Sequence, residues 1–145
     1  MRIETGWYSE YEYYVVKPLH NKQRQVLIMF AQSLGGGRWN VGAGVFSCNV
    51  TYRSLALSDV WETPTSTNKN PSITTVRVAL EALQEIEQVI TQYSQGKRRY
   101  IYVDGLDERR QRVYTKLLTK EKYNYKKSTV KCASCDLPML YKRLG

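Results

Sequence analysis

TTVRVALEALQEIEQVITQYSQG, residues 74–96, is where the chain changes its period. Val76, Ala79, Leu80, Leu83, Ile86, Ile90 and Tyr93 recur at spacings of three and four, while Glu81, Glu85 and Gln88 fall elsewhere on the wheel. That spacing predicts a helix over 74–94 with one apolar stripe, ended by Gly96 as a C-cap. A helix with a single stripe must bury it against another layer, so the flanking sequence decides what that layer is.

Upstream, the pattern is that of strands. Trp7 to Val16 is rich in Tyr and Val, and QVLIMFAQ (25–32) is a short apolar run bounded by polar residues. GGGR (35–38) supplies a tight reversal, after which WNVGAGVF (39–46) alternates Trp39, Val41, Ala43 and Val45 against Asn40, Gly42, Gly44 and Phe46. A hairpin is expected there, with a further strand over about 50–60. ETPTSTNKNPS (62–72) has the composition of a solvated loop.

Downstream, Tyr100 to Val103 reads as a strand, Asp107 as an N-cap, and 107–120 as a second helix with Val113, Tyr114, Leu117 and Leu118 on its apolar side. From Tyr123 onward two short strands flank CASCDLP (132–138). The expected fold is a single α+β domain, residues 1–145, with a mainly antiparallel sheet and two helices.

At 145 residues, 42% of them hydrophobic, the chain can bury one substantial core. No apolar run approaches the roughly 20 residues of a membrane helix, and Met1 to Glu12 lacks the apolar stretch of a signal peptide. Three cysteines, an odd number, fit a reducing compartment better than a disulfide scaffold.

Charge is unevenly placed. Residues 1–96 carry 8 Lys and Arg against 8 Asp and Glu, whereas residues 97–145 carry 14 against 5, so the whole net charge of +9 lies in the last third. A field of one sign confined to one region attracts and steers anionic partners. Arg109, Arg112, Lys116 and Lys120 fall at i, i+3, i+7 and i+11, one basic stripe on the second helix. They are joined by Lys97, Arg98, Arg99, Lys122, Lys126, Lys127, Lys131, Lys142 and Arg143, interleaved with Tyr100, Tyr123, Tyr125 and Tyr141. Lys and Arg meet phosphates and aromatic rings stack bases, so nucleic acid or an acidic protein surface is the expected partner. The bland alternative is a solvated helix face.

Other candidates carry less. Cys132 and Cys135 form a CxxC, but a zinc site needs four ligands and only Cys48 and His20 remain; two ordinary thiols near a turn are expected. Asp104, Asp107 and Glu108 resemble paired acids or metal ligands, yet Asp107 and Glu108 sit where a helix N-terminus favours negative charge. The glycines of GGGRWNVGAG (35–44) lack the context of a phosphate loop. With one histidine, no nucleophilic or acid–base arrangement is apparent.

The block YIYVDGLDERRQRVYTKLLTKEKYNY (100–125) resembles the C-terminal half of the GNAT acetyltransferase fold, and the likeness spans about residues 74–127. It implies a strand, a turn, a helix carrying a Tyr near the thioester sulfur, and a strand; Tyr114 is the matching position. Two departures qualify it. Only Pro18 to Arg24 is available where the family has two helices, and ETPTSTNKNPS contains no glycine where the family cradles the pyrophosphate of acetyl-CoA. No cofactor is therefore expected. The Thr75–Val76 helix start and the Arg-rich helix with Tyr also resemble small tailed-bacteriophage proteins. Together these readings imply a non-catalytic phage-type accessory protein, in the host cytoplasm or the virion, that contacts a polyanion and is open to oligomerisation. The alternatives are a virion-assembly protein on an acidic face and a GNAT-type acyltransferase.

Overall fold

The alternation in WNVGAGVF sorts a sheet into two faces. The computed structural model describes residues 5–48, 73–94, 97–105, 108–132 and 135–144. Among these, the elements in chain order are β1 (Gly6–Ser9), β2 (Glu12–Pro18), β3 (Gln25–Gly35), β4 (Arg38–Ser47), α1 (Ile73–Ser94), β5 (Arg99–Val103), α2 (Glu108–Leu118), β6 (Lys126–Lys131) and β7 (Pro138–Leu144). The strands form one seven-stranded sheet in the order β1-β2-β3-β4-β5-β7-β6. Every neighbouring pair is antiparallel except β4 and β5, which run parallel with Arg38 opposite Tyr100 and Val41 opposite Val103. A parallel pair needs a long crossover, and α1 lies in the chain between its two members.

Trp39, Val41, Ala43 and Val45 are all buried on one face. Against them lie Val15, Leu27, Met29 and Ala31 from the N-terminal strands and Ile101, Val103, Leu140 and Leu144 from the C-terminal ones. Ala79, Ala82, Leu83, Ile86 and Ile90 of α1 close this core, and Leu118 of α2 joins it with Tyr114 packed at its margin. Both helices therefore cover the same face. The opposite face carries a smaller cluster of Val26, Ile28, Phe30 and Phe46. Gly42 makes that cluster possible, because a Cβ there would stand 2.8 Å from the Phe30 ring. No described helix is long and apolar enough to cross a membrane.

Several expectations change. Trp7 to Val16 is a hairpin rather than one strand, pairing Trp7 with Tyr13 and Ser9 with Glu12. Its reversal at Glu10–Tyr11 contains neither Gly nor Pro; the Ser9 hydroxyl instead accepts a bond from the Tyr11 N–H at 3.2 Å. The reversal at 35–38 is as read, with Gly37 at φ 79°. The second helix ends at Leu118, so Lys120 lies beyond it, and Asn124 at φ 62° helps turn the chain into β6. Cys132 and Cys135 are joined in a disulfide rather than standing as two thiols, while Cys48 is half-buried outside that disulfide. The expected strand over 50–60, the loop over 62–72, the Gly96 C-cap and the Asp107 N-cap lie outside the described residues.

Candidate nucleic-acid interface

Register decides which basic and aromatic residues meet. Arg38, Tyr100 and Arg143 lie in one cross-strand row over β4, β5 and β7. Asn40, Tyr102, Tyr141 and Lys126 form the next row, reaching β6. Because side chains alternate across a strand, both rows stand on the face opposite the helices. The parallel start of β4 and β5, the end of β7 and the start of β6 all fall at one end of the sheet. That end accordingly gathers Arg38, Lys97, Arg98, Arg99, Arg143 and Lys126, from positions more than 100 residues apart.

Within the second row the rings are ordered. The Arg38 guanidinium lies 4.2 Å from the centroid of Tyr102. Tyr102 in turn stacks on Tyr141, with centroids 5.6 Å apart and planes 22° from parallel. Arg38 Nε also donates to Asn40 Oδ1 at 3.0 Å, which fixes the guanidinium across the ring. Cation–π and stacked aromatic contacts each contribute about 0.5–1.5 kcal/mol, enough to order this series without burying it. Tyr100, Tyr102 and Tyr141 are half-buried, and Lys126 and Arg143 are exposed.

The cations named from the sequence do not form one surface. Arg109, Arg112 and Lys116 are on α2, hence on the helix side of the sheet, with Arg112 ion-paired to Glu108 at 2.6 Å. Lys120 and Lys122 follow that helix, and the Lys122 ammonium lies 5.5 Å from the Tyr123 ring centroid. Lys126, Lys127 and Lys131 belong to β6, the outer strand, where Lys side chains also discourage edge-to-edge pairing. Lys142 is turned inward: its Nζ meets Glu87 Oε1 of α1 at 2.7 Å. Tyr125 is buried beside it and donates to Glu87 Oε2 at 3.0 Å. Burial, then the Glu87 charge and then that hydrogen bond hold the Tyr125 phenol well above its ordinary range. Glu87 is a latch between α1 and the C-terminal strands.

Tyr114 lines an apolar cavity of about 40 Å³ between the two helices and β4, together with Thr75, Val76, Ala43, Arg110 and Val113. Arg110 reaches the Ala43 carbonyl at 3.4 Å. No cluster of three or more His, Cys, Asp or Glu with metal-site geometry occurs among the described residues.

Reasoning from sequence missed Arg38 and Tyr102. Tyr100 and Tyr102 are two apart in a strand, which alone places them on one face, the one opposite Arg99, Ile101 and Val103. Arg38 gave no such signal, since only the parallel β4–β5 pairing brings it there. No family model matches the chain, and no curated protein or solved structure is significantly similar to it.

Proposed function

We propose that this chain is a non-catalytic, phage-type accessory protein that binds nucleic acid or a comparable polyanion. The observation that carries this reading is the gathering of Arg38, Lys97, Arg98, Arg99, Arg143 and Lys126 at one sheet end. Arg38, Lys126 and Arg143, from three strands, are held on one face by the register, and phosphate contacts of this kind give sequence-independent affinity. Fluorescence anisotropy against duplex and single-stranded oligonucleotides over a range of salt tests it. Binding should weaken linearly in log–log form, with a slope of several units for a surface of this many cations. Failure to bind either nucleic acid at low salt removes this reading and leaves an acidic protein face, as in a virion-assembly role.

The scaffold of this surface is proposed to be GNAT-like in its second half. Supporting this are the helix between two parallel strands, the Tyr-bearing helix that follows β5, and the closing antiparallel pair. A second reading, acyl transfer, is favoured by Tyr114 lining the cavity beside β4 and the start of α1. There the Tyr hydroxyl would be placed toward an acyl thioester, as the family resemblance implies. The described part of that cavity is small and apolar, without a charged cradle for a pyrophosphate apart from Arg110. Acetyl-CoA should therefore leave the melting temperature unchanged; a saturable rise, abolished by Tyr114→Phe, would promote the enzymatic reading.

A further inference from the structure

The Arg38–Tyr102–Tyr141 series has a direction. Tyr102 and Tyr141 are directly opposed across β5 and β7, with near-parallel rings 5.6 Å apart, about the spacing of neighbouring strands. The rings therefore stand upright on the sheet and face each other along the strand-to-strand direction. Tyr102 is enclosed by Arg38 on one side and Tyr141 on the other. The second face of Tyr141 looks toward β6, where Lys126 is its register partner and is exposed. Arg143 stands two residues along the same strand and on the same face.

We infer that this face is a base-stacking platform for single-stranded nucleic acid, with an unpaired base extending the series on the outer face of Tyr141. A base there would lie over β6, so the exposed Lys126 side chain is displaced from beside the ring toward one phosphate, while Arg143, one strand repeat along β7, meets the other. A duplex offers phosphates but no free base face, so its bases have nothing to place against Tyr141. The inference rests on the reading above that this sheet end contacts nucleic acid, and it adds the strandedness and the ring responsible. Cross-strand stacking that serves only to stabilise the sheet is the competing explanation.

The test uses fluorescein-labelled single-stranded and duplex oligonucleotides of equal length and mixed sequence, at several salt concentrations. Wild type should prefer the single strand, and Tyr141→Leu should reduce that preference by about tenfold or more while leaving the salt slope for the single strand in place. Circular dichroism establishes that the variant is folded. As a measurement independent of any variant, the wild-type protein is photo-crosslinked to a 5-iodouridine oligonucleotide, and the adduct should map to the peptide containing Tyr141. Equal affinity for duplex and single strand, or crosslinks confined to other peptides, would overturn the stacking inference while leaving phosphate contact standing. Absence of binding to both nucleic acids would overturn the two together.

Discussion

Gln111 is fully buried, a polar side chain in the stripe that α2 turns toward the sheet. Its Oε1 accepts the Gly105 N–H at 2.6 Å, and its Nε2 donates to the Pro138 carbonyl at 2.7 Å. One amide thus satisfies the backbone just after β5 and at the first residue of β7. Gln111→Leu should leave both groups buried and unpaired, at about 1–3 kcal/mol each, read as a lower urea midpoint with unchanged slope. Gly105→Ala should be at least as damaging, because its Cβ would come within 2.7 Å of the Gln111 backbone nitrogen. The reading of 107–120 passed over Gln111, although it shares a face with Tyr114 and Leu118; what the amide bonds to leaves no local trace, because both partners come from outside the helix. Tyr125 carries a pH prediction. Its phenol is held protonated in the fold well above the ordinary value of 10.0, so the unfolded chain loses that proton first as pH rises. Its contribution is complete below pH 10 and declines above it, through the raised folded value. Urea midpoints at pH 8, 10 and 11 should fall in that order, with part of the fall removed in Tyr125→Phe.

At the scale of elements, two of the ion pairs differ sharply in their surroundings. Lys142–Glu87 joins β7 to α1 with side chains 24% and 14% exposed, whereas Arg112–Glu108 is a pair within α2 at 71% and 58%. Glu87 also holds Tyr125, so Glu87→Gln leaves a partly buried ammonium without its counter-charge. A loss of about 1–3 kcal/mol is expected for Glu87→Gln, against less than about 0.5 kcal/mol for Glu108→Gln, by paired denaturation curves. Equal effects would show that α1 is not latched through Glu87. The two helices were legible because a 3.6-residue period survives in the side chains that pack, β3 because QVLIMFAQ is a bounded apolar run, and β4 because Trp39, Val41, Ala43 and Val45 alternate with Asn40, Gly42 and Gly44. The β1–β2 hairpin was hidden because its turn relies on Ser9 and Tyr11 instead of Gly or Pro. The position of β7 between β5 and β6 was hidden for a different reason. Pairing across tens of residues is decided by the whole sheet and leaves no local trace in YKRL or RYIYV.

At the scale of the molecule, the sequence places the surplus charge in the last third, and the fold divides that charge between two sides of one sheet. Arg109, Arg112 and Lys116 ride on α2 above the helix-covered face; Arg143 and Lys126 stand on the other, joined there by Arg38 from the charge-balanced part of the chain. A rigid ligand reaching one side does not reach the other, so replacing three cations on each side separates them. The sheet side has the stronger claim. Its cations are anchored in strands and surround stacked rings, while Arg112 on the helix is already neutralised by Glu108. The triple variant Arg38→Gln, Lys126→Gln, Arg143→Gln should therefore reduce the logarithmic salt slope for oligonucleotide binding by about 2–3 units, since each lost phosphate contact removes about one. Arg109→Gln, Arg112→Gln and Lys116→Gln together should reduce it by less than about one unit. Both triples remove the same formal charge, so a mere dependence on net charge predicts equal slopes and equal affinities. Equal losses would mean that the protein attracts polyanions only as a diffuse positive body, and a larger loss from the helix triple would move the binding surface to α2.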